Sequence, residues 1–292
     1  KRYFGIYKSF NVKDFVLPKI NHKNNKSIDL KIQNLKKYLT KKKLLKLKIE
    51  KILVGDIIYD TYLKRYKKPT INFDEEFYDY LKQFINLFYY WKNYIKKNNV
   101  KSIVGHHAVY SYSIPLRICI HEKKPTYAVN CMEVFRLSKS LFLKNMDHLN
   151  YKKNFSKIPK LTKSKMIKDS MVKIKNRLSG NISAKEGMDY MSKTSFYKNY
   201  RKKNLLIKNT SNIKILVSTH DFFDSVHAFG DLIFPDFYEW MMHIGKLSNI
   251  TRHDWYVKTH PSYKGKFGIN QLFSKQIVNE IIIKFPRLKI LP

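Results

Sequence analysis

The sequence predicts an α/β protein whose strands form parallel sheets in two successive halves. Three observations predict it. Residues 213–261 read as strand, helix, strand, about the length a parallel crossover needs. The first half alternates in the same way, with strands near 52–60, 100–104 and 126–129 and helices between them. Polar residues gather just after the strands of both halves, which is where open α/β sheets bind ligands.

In chain order, residues 3–7 look strand-like, and the Lys-rich stretch to residue 50 reads as one or two exposed helices. The run 52–60, ILVGDIIYD, reads as a strand, with Gly55 allowing a tight backbone and Asp56 and Asp60 on its polar side. Residues 73–97 form a long helix. Asp74, Glu75 and Glu76 favour its start, and aromatic residues at 77, 80, 84, 88 and 91 give it a core-facing stripe. A strand at 100–104 ends in Gly105, His106 and His107, followed by Tyr110 and by a helix from about residue 114 that carries Arg117. Residues 126–129 make another strand. Residues 145–210 read as helices joined by loops.

In the second half, residues 213–218 are a short β-branched run and predict a buried strand. From Pro235 onward, Phe237, Trp240, Met241, Ile244 and Leu247 recur at helical spacing. Residues 255–258 make a second strand and 288–291 a third. The chain begins with Lys1 rather than Met and stops one residue after that last strand, so a fragment of a longer protein is expected. The expected division is residues 1–205, an acceptor-side domain with a helical bridging segment, and 206–292, the front part of a second domain.

Composition narrows the classes. Hydrophobic residues make up 43% of the 292, enough to bury a core, and no apolar run reaches the roughly 18–20 residues of a membrane span. Cys119 and Cys131 alone make no disulfide framework and no cysteine-rich zinc site, which fits a reducing, cytoplasmic setting. The formal net charge is +36. Arginine occurs only at 2, 65, 117, 136, 177, 201, 252 and 287, so 50 of the 58 basic residues are lysine. Lysine abundance beside Asn, Ile, Tyr and Phe is what AT-rich coding yields, and that reading comes first. Attraction to an anionic membrane surface, at about 1 kcal/mol per Lys or Arg near the bilayer, or to an acidic ligand comes next. Nucleic acid comes last, because base readers lean on arginine's fork and the lysines of this chain are spread along its whole length.

The candidate site residues fall into four groups. Asp56 and Asp60 could supply a general base, with helix capping or a salt bridge to Arg65 as the plainer reading. His106 and His107 could ligate a metal, but adjacent side chains on a strand point apart and no partner sits at ligand spacing; one of them lining a polar cleft is the better reading. His220, Asp221, Asp224, Ser225 and His227 form a dense polar loop after a strand, of which capping explains one or two. Lys258 and His260 put a cation and an imidazole at a strand end, able to neutralise a phosphate leaving group, where the plainer reading is a strand terminus with a buried histidine. The chain lacks a P-loop, a G-x-G-x-x-G and a G-x-S-x-G, which disfavours P-loop ATPases, Rossmann dehydrogenases and α/β-hydrolases.

The segments HDFFDSVHAFGDLIFPDFYEWM and DWYVKTHPSY, with VGDIIYDTYLKRYKKPTI and GHHAVYSYSIPLRICI in the first half, resemble bacterial capsule and surface-polysaccharide biosynthesis proteins of the GT-B glycosyltransferase type. The look-alikes are capsule synthesis proteins related to Kdo transferases, and the resemblance covers residues 51–292. It implies two facing Rossmann-like parallel-sheet domains, the second of them incomplete. It implies metal-independent transfer, without a cofactor, from a nucleotide-sugar donor to a polysaccharide or lipid-linked saccharide acceptor. Lys258 and His260 would face the donor phosphate, with His220, Asp221 and Asp224 lining the cleft. Asp56, Asp60 or His106 would lie near the acceptor hydroxyl as catalytic groups. His107, Tyr110, Arg117, Ser225 and His227 complete the expected substrate-binding set. The expected location is the inner face of the plasma membrane, held to its anionic surface. The alternatives are a basic nucleic-acid-binding protein and a non-catalytic partner in polysaccharide assembly or export.

Overall fold

A computed structural model of the chain describes residues 2–18, 26–106, 108–129, 134–141, 151–179, 207, 210–228, 230, 232–259 and 269–291. The fold is mixed α/β, with helices and three small open sheets, one of them wholly parallel. The chain divides into two compact units, Lys1–Lys144 and Asn145–Pro292.

The first unit begins with a helix, α1 (Arg2–Ser9), and not with the strand expected at residues 3–7. Described residues 5–10 are exposed. A segment standing in water with no neighbouring strand satisfies its backbone locally, as a helix does. Helix α2 (Lys26–Lys36) turns Ile28, Ile32 and Leu35 inward at helical spacing and packs on α5 (Glu75–Lys97). Ion pairs run alongside, from Lys82 to Asp29 at 2.5 Å and from Lys36 to Glu75 at 2.8 Å. The side chain of Thr40 caps the short α3 (Lys41–Leu45), accepting from Lys43 N–H at 3.2 Å.

Strands β1 (Lys48–Ile49) and β2 (Ile52–Leu53) form a hairpin whose two turn residues, Glu50 and Lys51, both have positive φ, 49° and 69°. The strand expected over 52–60 therefore stops at Leu53. The rest of that run is the start of helix α4 (Gly55–Tyr66). Every residue from Gly55 to Asp60 is buried, Asp56 and Asp60 included, so burial does not divide the run into an inner and an outer face. Long helix α5 forms as expected. Asp74 caps it by accepting from Phe77 N–H at 2.9 Å, and Phe77, Tyr80, Phe84 and Phe88 are buried.

A strand–helix–strand unit follows, made of β3 (Ile103–Gly105), α6 (Ile114–His121) and β4 (Thr126–Val129), with β3 and β4 parallel. A Cβ at Gly105 would lie 2.9 Å from a Leu116 methyl, so glycine lets α6 approach the strand closely. Strand β5 (Val134–Arg136) adds antiparallel to β4, which makes this sheet mixed and not purely parallel.

Cys119 on α6 is fully buried. Burial, reinforced by the charge of Glu122, pushes its thiol up to about 11. The thiolate is the reactive form, so Cys119 is expected to resist iodoacetamide at pH 8 in the native protein and to react once denaturant is added. Mass mapping of the labelled peptide reads this directly. Its protonated form is favoured in the folded state, so the stability it contributes is lost as pH rises above its ordinary value of 9.0.

The second unit contains α7 (Tyr151–Ser156) and α8 (Lys160–Leu178), the helices expected within 145–210, and neither has a buried residue. Its sheet is parallel throughout, in the order β6 (Lys214–Ser218), β7 (Asp254–Lys258), β8 (Leu288–Leu291). Helices α9 (Phe237–Ile250) and α10 (Ile269–Lys284) connect them and touch each other. The core joins Val217, Trp255, Val257 and Leu288 from the strands to Met241 of α9 and Val278 and Ile281 of α10. Strands β6, β7 and β8 end within one residue of those expected and α9 begins two residues after Pro235, but α10 is not among the expected elements, and β6, expected to be buried, buries only Val217. No helix among the described residues is long and apolar enough to cross a membrane.

Candidate functional site

Two clusters hold the candidate residues, one in each unit. In the first, Asp56 and Asp60 lie on α4 and not after a strand. Arg117 of α6 donates to both carboxylate oxygens of Asp56 at 2.5 Å and to the carbonyl of Leu53 at 2.9 Å. The side chains of Arg117 and Asp56 are only 3% and 12% exposed. The partner of Asp56 is thus Arg117, and Arg65, the partner considered from sequence, donates instead to Gln83 at 3.1 Å. A buried two-pronged pair of this kind fixes α6 against α4 and the hairpin. Asp60, one turn further on, is also buried.

His106 follows β3 and is exposed, with its Nδ1 at 3.2 Å from the Val129 carbonyl at the end of the neighbouring strand. The carbonyl can only accept, so Nδ1 is the donor in this contact. Tyr110 has a φ of 56°, which turns the chain sharply before α6, and Lys64 of α4 stands 5.9 Å from its ring centre. Among the described residues, this βα turn presents His106, Tyr110, Ser111 and Tyr112 outward or half-buried, with Lys64 of α4 beside them. His107 lies outside the described residues.

In the second unit, β6 and β7 end side by side. Thr219 N–H donates to the Lys258 carbonyl at 2.9 Å, carrying the pairing one residue past the strand. The loop that follows is built by its own side chains. Asp221, which is buried, accepts from Phe223 N–H at 2.8 Å and from the Ser274 hydroxyl of α10 at 3.4 Å. That hydroxyl in turn accepts from Phe222 N–H at 3.3 Å. The rings of Phe222 and Phe223 drop into the core between these bonds. Ser225 sits at φ 48°, and Ala228 N–H closes a turn on its carbonyl at 2.9 Å. His227 is buried and gives its Nε2–H to the Pro235 carbonyl at 2.9 Å. Asp236 then caps α9, accepting from Glu239 N–H at 2.8 Å.

These contacts separate the five polar loop residues. Asp221 and His227 hold the loop in shape. His220 and Asp224 face water, with Ser225 between the two states. The His220 ring leans on Phe237, 5.5 Å between centres. Lys258 is exposed at the end of β7, and His260 lies outside the described residues. Among the described candidate residues, those accessible at this sheet end are His220, Asp224, Ser225 and Lys258. Sequence reasoning missed Ser274, which lies 52 positions from the backbone it supports and carries no local signal. It also missed the capping role of Asp236, which the Pro-Asp pair ahead of a periodic apolar run could have given. Among the described residues no group of three or more His, Cys, Asp or Glu side chains is arranged to hold a metal ion.

Comparison with protein-family models, curated proteins and solved structures found no match for this chain.

Proposed function

We propose that the chain is part of a GT-B-type glycosyltransferase that moves a sugar from a nucleotide-activated donor to a capsular or surface-polysaccharide acceptor. The observation that carries the reading is the carboxyl end of the parallel sheet in the second unit. There the His220 loop and Lys258 emerge from adjacent, hydrogen-bonded strand ends. Parallel α/β sheets take phosphorylated ligands at such ends, and a lysine ammonium is a strong point charge for a phosphate. The resemblance of the surrounding segments to capsule synthesis proteins supplies the reaction class.

In this reading the oxygen of an acceptor hydroxyl attacks the anomeric carbon as the bond from that carbon to the donor phosphate breaks. Lys258 and His220 stabilise the charge gathering on the leaving nucleotide phosphate. The hydroxyl proton passes to a carboxylate or imidazole base beside the acceptor. The Asp56 carboxylate is already engaged by Arg117 and is assigned to holding α4 and α6 together. The protein acts at the inner face of the plasma membrane, where lipid-linked acceptors sit.

The test is a thermal-shift screen of the protein against CMP- and UDP-linked sugars. One of them at about one hundred times its dissociation constant is expected to stabilise the fold by about 2.7 kcal/mol. Lys258→Ala is expected to keep the unliganded melting temperature, because the side chain is exposed, and to lose most of the shift. Stabilisation by generic RNA with none by any sugar nucleotide would replace this reading with the nucleic-acid one.

A further inference from the structure

Helix α8 is folded and bare. None of its residues is buried, yet it carries Ile167, Met171, Ile174 and Leu178 in steps of four, three and four. Those steps place the four side chains on one stripe of the helix. They are 49%, 49%, 50% and 54% exposed. The same helix holds seven basic residues and one acidic residue, Asp169. By helical geometry Lys168 and Lys175 border the stripe on one side, and Lys163 and Arg177 on the other. Ahead of it, α7 exposes Tyr151 and Phe155, and Lys163 reaches back over the Phe155 ring at 4.8 Å. Tyr151, Phe155 and Ile158 line a shallow groove together with Lys152 and Lys163.

We infer that α7 and α8 form an in-plane anchor for an anionic lipid bilayer, with the stripe sunk among the acyl chains and the lysines at the headgroups. The chemistry chooses this occupant over two others. A second copy of α8 would cover the stripe, but it would set seven cations against seven with one carboxylate on each side, where paired helices rely on opposite charges beside the seam. A nucleic acid would meet the cations and leave four large apolar side chains in water. An anionic bilayer meets the apolar stripe and the cations beside it, leaving Leu161 and Val172 off the stripe, and basic residues flanking an apolar stripe are the pattern of interfacial helices. Lysines can also lay their stems along the apolar zone and keep their charge at the surface. The assignment deepens the membrane attachment proposed above, but it stands on α7 and α8 alone. Failure of sugar transfer and failure of lipid binding are therefore separate results.

The experiment is co-sedimentation of the whole chain with vesicles of phosphatidylcholine, with or without about one third phosphatidylglycerol. Binding is expected only to the anionic vesicles, and it should weaken as salt rises from about 0.1 M to about 1 M, because the screening length shortens. The double variant Ile167→Asp/Ile174→Asp is expected to weaken binding at least tenfold while keeping the melting temperature, since the stripe is in water in the free protein. Lys168→Gln/Lys175→Gln is expected to weaken it less, by severalfold, and to flatten the salt dependence. No partition to anionic vesicles would overturn the proposal, as would equal partition of the aspartate variant. So would a wild-type dimer that the aspartate variant dissolves, or a lowered melting temperature in that variant, which would show that another part of the chain covers the stripe. Binding to RNA in place of vesicles would overturn it too.

Discussion

Arg117→Met is expected to destabilise the first unit by about 3–5 kcal/mol, read as a lower urea midpoint at unchanged slope. The loss does not come from a missing attraction alone. Arg117 is nearly sealed from water, and it satisfies both oxygens of Asp56 and the Leu53 carbonyl. Removing it leaves a buried carboxylate without its counter-charge, and desolvation is the larger part of the cost. The double variant Asp56→Leu/Arg117→Met removes both charges and keeps most of the volume. It is expected to recover most of the loss. A double variant as unstable as the single one would mean that packing around the pair, and not its charge balance, sets the stability. Under the glycosyltransferase proposal, transfer lost in the single variant and regained in the double would support a structural role for Asp56.

Gly55→Ala is expected to cost about 3 kcal/mol or more, although alanine is the better helix former by nearly 1 kcal/mol. The added Cβ would fall 1.8 Å from the Leu44 carbonyl oxygen and 2.8 Å from the carbonyl carbons of Leu44 and Leu45. All three are backbone atoms, so no side-chain rotation relieves the clash. The turn must move, and with it the Leu47 carbonyl that accepts from both Val54 and Gly55 N–H, at 3.0 and 3.1 Å. Gly245 makes the contrast. Its Cβ would meet the Phe285 ring at 2.2 Å, a contact with a side chain. A neutral or stabilising Gly55→Ala would mean that the α3–β1 turn does not lie against the start of α4.

The second unit could be read from sequence because its signals are local. Residues 214–218 and 254–258 are short β-branched or aromatic runs, and α9 between them shows a helical period. The first unit conceals its structure for a physical reason. Between Gly55 and Asp60 every residue is buried, so only the i, i+4 spacing of Asp56 and Asp60 hints at a helix, and the β-branched isoleucines imitate a strand. The β1–β2 hairpin is hidden too. Its turn needs two residues with positive φ, and the chain supplies Glu50 and Lys51 where Asn-Gly would have announced it. The candidate site was legible as clusters, but not in its division of labour. Nothing near Asp56 in sequence points to a partner 61 positions away, and nothing in the 220–227 loop tells that Asp221 and His227 hold the backbone while His220 and Asp224 face water.

The span of the Asp56–Arg117 pair also sets an order of events during synthesis. Asp56 emerges 61 residues ahead of Arg117, the guanidinium that grips both of its carboxylate oxygens. At about 5–20 residues per second the carboxylate waits roughly 3–12 s. Until then, burying the first turn of α4 would bury an uncompensated charge. Burial of the α4 segment is therefore expected to follow the arrival of α6.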